Sequence, residues 1–307
     1  MTNQTNNFLD ISEIDSKTLR QIVEFAKKLK AKRNAGESHT PLKGKHLAMI
    51  FEKNSTRTRA SFEVGIKELG GDALYLNSND IQLGRGETIS DTAKVLSRYV
   101  DIIMLRANKH ADLLELAENA SVPIINGLTD KSHPCQIMAD IMAYEEKRGS
   151  IEGKTLAWIG DGNNVAVSFV HAAKKFGFFL RLACPEEYMP SDDVLNWAKE
   201  NNADVKVTTD PKAAVADADC VITDTWVSMG DTDADERLKL LAPYQVNTAL
   251  MAGAKPDAVF MHCLPAHRGE EVTADVIDNP DVSLVWDEAE NRLHAQKAVM
   301  CWCMGVL

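Results

Sequence analysis

Two patterns of apolar residues alternate along the chain. The runs His46–Phe51, Ala73–Leu76, Asp101–Leu105, Val122–Ile125, Leu156–Ile159, Phe179–Ala183, Cys220–Thr223 and Ala258–Met261 are short and almost continuously apolar. Such runs read as strands buried on both faces. Between them, apolar residues return every three or four positions. Leu19, Ile22, Phe25 and Leu29 do so within Ser16–Arg33, then Phe62, Ile66 and Leu69, then Ile137, Ile141 and Tyr144. These predict helices, with others over Thr92–Arg98, before Gly177 and from about Glu290. Strand–helix alternation predicts an α/β fold with parallel sheets. The rhythm restarts after Gly149-Ser150-Ile151-Glu152-Gly153, which reads as a linker. The expected division is therefore a domain over residues 1–149 and another over 150–289. Each is a parallel sheet flanked by helices, and the C-terminal helix, about 290–307, returns to the first domain.

The polar residues that could carry chemistry fall where strands end. After His46–Phe51 comes Ser55-Thr56-Arg57-Thr58 at a strand-to-helix turn. Ser55 can cap the helix, and first-turn N–H groups have no intrahelical partner. With two threonine hydroxyls and Arg57 they form an anion seat, which the helix dipole reinforces. The same residues also fit a plain capped helix with solvated arginines. They are not a Walker A loop, whose glycines and lysine are missing. Arg106 ends the strand at 101–105, and His133-Pro134-Cys135-Gln136 starts a helix in which Ser132 can cap and Pro134 suits the first turn. In open parallel sheets ligands bind outside the carboxyl ends of the strands. The polar loop Asn77–Thr88 is long enough to be a functional segment.

The second half repeats the arrangement with different chemistry. Asn164 follows one strand, Asp224 and Ser228 another, and Cys263 a third. Asp224 and Asn164 suit an ammonium group. Cys263 reads equally as a core thiol, a nucleophile or a proton-handling group, because a thiol's reactivity depends on its local pKa. Gly160-Asp161-Gly162, with Glu186 further on, partly matches the dinucleotide fingerprint, but Val165 stands where the third glycine belongs. It reads either as that site or as a tight turn. Leu264-Pro265 is a candidate cis peptide. Asp231–Glu236 is an acidic run, expected to be a solvated face or a mobile loop.

Bulk properties narrow the classes. The 307 residues suffice for about two domains. The net charge of −11 argues against a nucleic-acid or anionic-membrane partner. No apolar run is long enough to span a membrane, and the polar N-terminus lacks a signal-peptide core. The six cysteines include no Cys-x-x-Cys pair, so they read as reduced thiols of a cytoplasmic protein.

Taken together, Ser55–Thr58, Gln82–Glu87, Arg106, His133–Gln136, Asp161–Asn164, Asp224–Gly230, His262–Pro265 and Glu290–Arg292 resemble the aspartate/ornithine carbamoyltransferase family, in order and over nearly the whole chain. The Ser228-Met229-Gly230 and His262–Pro265 segments point to its ornithine-using branch. The resemblance implies that Ser55, Thr56, Arg57, Thr58 and Arg106 bind the phosphate of carbamoyl phosphate. His133 and Gln136 take its carbamoyl end, and Arg292 with the backbone at Cys263 and Leu264 completes the site. Gln82 is expected from a neighbouring subunit, since the family forms trimers. Asn164, Asp224, Ser228 and Met229 are expected to hold L-ornithine, with Arg57, Arg106, His133, Asp224 and Cys263 as catalytic residues. No metal or organic cofactor is implied. The competing readings are a diamine such as putrescine as second substrate, a nicotinamide dehydrogenase using Gly160–Gly162, and a non-catalytic anion-binding protein.

Overall fold

In the computed structural model, helix α1 (Ser16–Asn34) begins at Asp15, whose carboxylate accepts the Thr18 N–H at 2.9 Å. Strand β1 (His46–Phe51) is buried at every position after His46. It is followed by α2 (Thr56–Glu68), β2 (Asp72–Asn77), α3 (Ile89–Leu96), β3 (Ile102–Arg106), α4 (His110–Asn119), β4 (Ile124–Leu128) and α5 (Pro134–Arg148). The structure describes residues 6–78, 86–227 and 233–307. The four strands form a parallel sheet in the order β2-β1-β3-β4. On one side of it, Ala48, Ile50, Ile103 and Leu105 pack with Leu113 and Leu116 of α4.

The chain continues with β5 (Thr155–Ile159), α6 (Asn164–Phe176), β6 (Phe179–Ala183), α7 (Asp192–Glu200), β7 (Val205–Thr208) and α8 (Pro211–Val215). Then follow β8 (Cys220–Thr223), α9 (Ala234–Leu241), α10 (Thr248–Met251), β9 (Val259–His262), α11 (Ala274–Ile277) and α12 (Val285–Cys303). These five strands form a second parallel sheet, ordered β7-β6-β5-β8-β9. Its core includes Ala157, Ile159, Val221, Phe260 and Val272. One compact unit is Met1–Met142 with Asn291–Leu307, and the other is Ala143–Glu290. Both boundaries fall inside helices, α5 and α12. Among the described residues no helix is long and apolar enough to cross a membrane.

Several elements depart from their predicted limits for identifiable reasons. Strand β4 starts at Ile124 and runs through Asn126 and Gly127, which were expected in a loop. Pairing with Phe8 extends it, Phe8 N–H donating to Ile124 O and Asn126 N–H to Phe8 O, both at 2.8 Å. The buried Asn126 Nδ2 donates to Leu9 O at 2.9 Å and to Ser132 Oγ at 3.1 Å. Ser132 therefore serves Asn126, and His133 stands in the cap position of α5. Helix α3 begins earlier than Thr92, because the Thr88 hydroxyl accepts the Asp91 N–H. Helix α12 starts at Val285, not near Glu290. Helix α4 and the short edge strand β7 carry no strong apolar run and were not predicted. The Leu264–Pro265 bond is cis.

Candidate active site

Each sheet has one place where the chain reverses its direction of growth. In the first it lies between β1 and β3, and in the second between β5 and β8. Loops leaving adjacent strands there diverge to opposite faces and leave a crevice for a ligand. Ser55–Thr58 follow β1 and Arg106 ends β3, and Asn164 and Asp224 follow β5 and β8.

At the first, Ser55 caps α2, its Oγ accepting the Thr58 N–H at 3.3 Å. The Thr58 hydroxyl is buried and accepts from two guanidinium groups, Arg106 Nη1 at 3.4 Å and Arg292 Nη2 at 3.2 Å. A hydroxyl that accepts twice still has its own proton to donate. Arg292, buried on α12, also donates to Gln136 Oε1 at 2.6 Å, and Gln136 Nε2 donates to Asp140 Oδ1 at 2.8 Å. Gln296, with its amide oriented to suit its neighbours, accepts from Arg292 Nη2 and Nε at 3.0 and 3.2 Å. The Arg57 side chain lies on the exposed side of the turn.

His133 is buried beside this cluster. Burial first, and then the charges of Arg292, Arg106 and Arg57, hold its pKa well below the usual histidine value. It is therefore a neutral imidazole at physiological pH, a donor at one nitrogen and an acceptor at the other. Three guanidinium charges, a helix N-terminus and a neutral imidazole give this place a local positive character that the net charge of −11 would not suggest.

At the second crevice the residues collect around Asp224. Its Oδ1 accepts the Cys263 thiol at 3.0 Å and its own next N–H, that of Thr225, at 2.8 Å. Its Oδ2 accepts Asn163 Nδ2 at 2.9 Å. Asn163 meanwhile caps α6, its Oδ1 accepting the Val165 and Ala166 N–H groups. Asn163 is thus bonded to Asp224, and Asn164, named from the sequence, is the first residue of α6. The helix-capping preference of Asn was the available signal for Asn163. The Cys263–Pro265 turn rests on His262, whose Nδ1 accepts the Leu264 N–H at 2.9 Å and whose Nε2 faces Glu271 Oε1 at 3.1 Å. Thr225 Oγ1 donates to Pro265 O at 2.6 Å, tying this turn to the end of β8. Gln82, Ser228 and Met229 lie outside the described residues.

The partial dinucleotide fingerprint has a packing explanation. A Cβ on Gly162 would lie 2.5 Å from Pro190 N and 2.7 Å from Tyr188 O, so that position admits only glycine. Among the described residues, two groups bring three potential metal-ligand atoms within 4.8 Å of one another: Asp224, His262 and Cys263, and His267, Glu270 and Glu271. In the first, both nitrogens of His262 are already engaged as above.

Comparison with known proteins matches both halves of the chain to one family. Residues 6–146 match the family model described as aspartate/ornithine carbamoyltransferase, carbamoyl-P binding domain. Residues 152–303 match its Asp/Orn binding domain. The ornithine carbamoyltransferase of Rhodopseudomonas palustris strain BisA53 is 58% identical over 312 residues, covering 100% of both chains. The solved ornithine carbamoyltransferase of Pyrococcus furiosus is 52% identical with a TM-score of 0.95, over 100% of this chain and 99% of that one. That of Burkholderia thailandensis is 45% identical with a TM-score of 0.90, over 98% and 99%.

Proposed function

The chain belongs to the aspartate/ornithine carbamoyltransferase family, and we propose on that footing that it transfers the carbamoyl group of carbamoyl phosphate to the δ-amine of L-ornithine. The products are L-citrulline and phosphate. The observation that carries the choice of second substrate is Asp224, a carboxylate held at the second crevice by Cys263 and Asn163. A carboxylate there favours a substrate that brings an amine and repels the side-chain carboxylate of aspartate.

In this reading Ser55, Thr56, Arg57, Thr58 and Arg106 take the phosphate, and His133, Gln136 and Arg292 take the carbamoyl end. Cys263 and Leu264 contribute at the carbamoyl group, and Asn164, Asp224, Ser228 and Met229 hold ornithine. The amine must first lose a proton, since an ammonium with a pKa of ~10.4 is no nucleophile. Its nitrogen then forms a bond to the carbamoyl carbon, and the carbonyl electrons move to oxygen. Collapse of that tetrahedral intermediate breaks the carbon–oxygen bond to phosphate, and the extra proton on the attacking nitrogen leaves with the departing phosphate. Neutral His133 can donate to the developing oxyanion without adding a competing positive charge. Guanidinium groups and the α2 N-terminus stabilise the departing phosphate. Alignment of the two reactants supplies about 7–11 kcal/mol of the barrier lowering in such reactions. Cys263, on Asp224, positions the amine without becoming carbamoylated.

The reading also includes a division of labour between a first domain over residues 1–149 and a second over 150–289, a trimer to which Gln82 contributes across subunits, a cytoplasmic location and a role in arginine metabolism. The deciding experiment supplies carbamoyl phosphate with ornithine, putrescine or aspartate and measures the carbamoylated product. Citrulline formation well above the other two is expected. A preference for putrescine or aspartate would overturn the assignment, and NADH binding without any transfer would revive the dehydrogenase reading. Mass spectrometry during turnover should show no carbamoyl adduct on Cys263.

A further inference from the structure

Arg237 and Asp161 form an ion pair beside the loops that carry Asn163 and Asp224. Asp161 belongs to the turn that leaves β5, two residues before Asn163. Arg237 projects from α9. Its Nη2 donates to Asp161 Oδ2, and its Nε donates to Trp226 O at 2.6 Å. Trp226 in turn lies two residues beyond Asp224. One guanidinium therefore joins the two loops whose side chains meet as the Asn163–Asp224 hydrogen bond. Both ion-pair side chains are mostly buried, 11% and 18% exposed for Arg237 and Asp161. The guanidinium carbon also lies 4.4 Å from the centre of the Tyr188 ring. The backbone of Tyr188 holds the same turn from its other side, Gly162 N–H donating to Tyr188 O at 2.8 Å. Trp158 Nε1 donates to Asp161 O at 2.8 Å. The turn is thus held at both of the residues that precede Asn163.

We propose that Arg237, through Asp161 and the Trp226 carbonyl, is a positioning residue that sets the separation of the β5 and β8 loops and so the orientation of the Asp224 carboxylate toward the amine substrate. The geometry needs the planar, forked donor of arginine. A lysine ammonium is a compact point donor on a flexible stem and does not reproduce two fixed bonds in two directions. The consequence is selective. Of the residues assigned to carbamoyl phosphate, Ser55–Thr58, Arg106, His133, Gln136 and Arg292 belong to the other compact unit, so the anion seat they form does not depend on Arg237.

The inference rests on the proposed ornithine reaction, and the test separates the two. The wild-type enzyme is assayed first for citrulline formation; its failure would remove the reaction itself. Arg237→Lys and Asp161→Asn are then compared by steady-state kinetics and by direct binding of carbamoyl phosphate, with thermal unfolding as a check on folding. Both should raise KM for ornithine about tenfold or more, with Kd for carbamoyl phosphate within about twofold of wild type. The double variant should lose less than the product of the two single losses, since both report on one interaction. Wild-type ornithine kinetics in a folded Arg237→Lys would overturn the proposal. So would equal losses for ornithine and carbamoyl phosphate. If Arg237→Lys does not fold, Asp161→Asn alone decides between the same outcomes.

Discussion

At the scale of single residues, the two crevices differ in what their side chains can stabilise. Thr58 is the meeting point of Arg106 and Arg292, so Arg106→Ala removes a charge-assisted donor while the fold of the sheet is untouched. Turnover should fall by about 10²–10³-fold, the usual loss for one oxyanion donor. Circular dichroism and unfolding temperature should stay close to wild type. Arg57→Ala, at an exposed position, should behave alike if its charge faces the phosphate. Retention of near-normal rates in both would dismiss this cluster as the anion site. Asp224→Asn keeps the shape but removes the charge and offers the Cys263 thiol a weaker acceptor. It should impair the use of ornithine by about 10²-fold while binding of carbamoyl phosphate, followed calorimetrically, changes little. None of these partnerships could be read from spacing. The sequence showed polar residues at strand ends, but not that Arg292, far along the chain, shares a hydroxyl with Arg106, nor that Asn163 meets Asp224.

At the scale of elements, α12 must hold Arg292 in register against α2 and α5. Two long-range contacts do this from the same helix. Lys297 Nζ donates to Glu68 Oε2 at 2.7 Å, and Lys30 Nζ donates to Asn291 Oδ1 at 2.8 Å. Lys297 is buried, whereas Glu68 is partly exposed and has Arg33 as a second partner. Removing either member therefore has unequal effects. Glu68→Ala strands a buried ammonium and should cost about 3–5 kcal/mol. Lys297→Met leaves Glu68 with Arg33 and fills the space with an apolar chain of similar length, so it should cost clearly less. Urea unfolding of the two variants measures the difference, and equal losses would show that the pair does not define the register. The fit of α2 against α12 is equally specific: a Cβ on Gly65 would lie 3.1 Å from Lys297 Cγ and 3.2 Å from Met300 Cε.

At the scale of the whole molecule, buried neutral histidines make stability depend on pH. His294 is fully buried. Burial first, then Lys297, Lys30 and Arg33, push its pKa down to about 3. Burial and the three arginines depress His133 in the same direction. In each case the unfolded chain takes up a proton below about pH 6.5 that the folded chain refuses, so stability is present above that pH and lost as pH falls. For His294 the loss is about 1.4 kcal/mol per pH unit, or ~2 kcal/mol at pH 5. Urea midpoints measured from pH 8 to 5 at one protein concentration should decline in the lower half of that range. His294→Leu should flatten the decline. An unchanged slope in that variant would mean that other groups govern it.

The fold class was legible because its cause is local. A strand buried on both faces must be a short apolar run, and a helix covering it must bury one stripe. His46–Phe51 and the Phe62–Ile66–Leu69 stripe could therefore be placed by pattern alone, and the order of motifs along the chain was enough to bring the family into view. Edge strand β7, the extension of β4 and the early start of α12 were not legible, since each depends on a partner far away in sequence. The same limit applies to the chemistry. The residue types, an arginine-rich anion seat in one half and a carboxylate with a thiol in the other, follow from the sequence itself. Which strands lie side by side was decided by the tertiary structure, through the order in which parallel strands hydrogen-bond. That order puts β1 beside β3, and β8 between β5 and β9, and so brings Thr58 to Arg106, and Asn163 and Cys263 to Asp224.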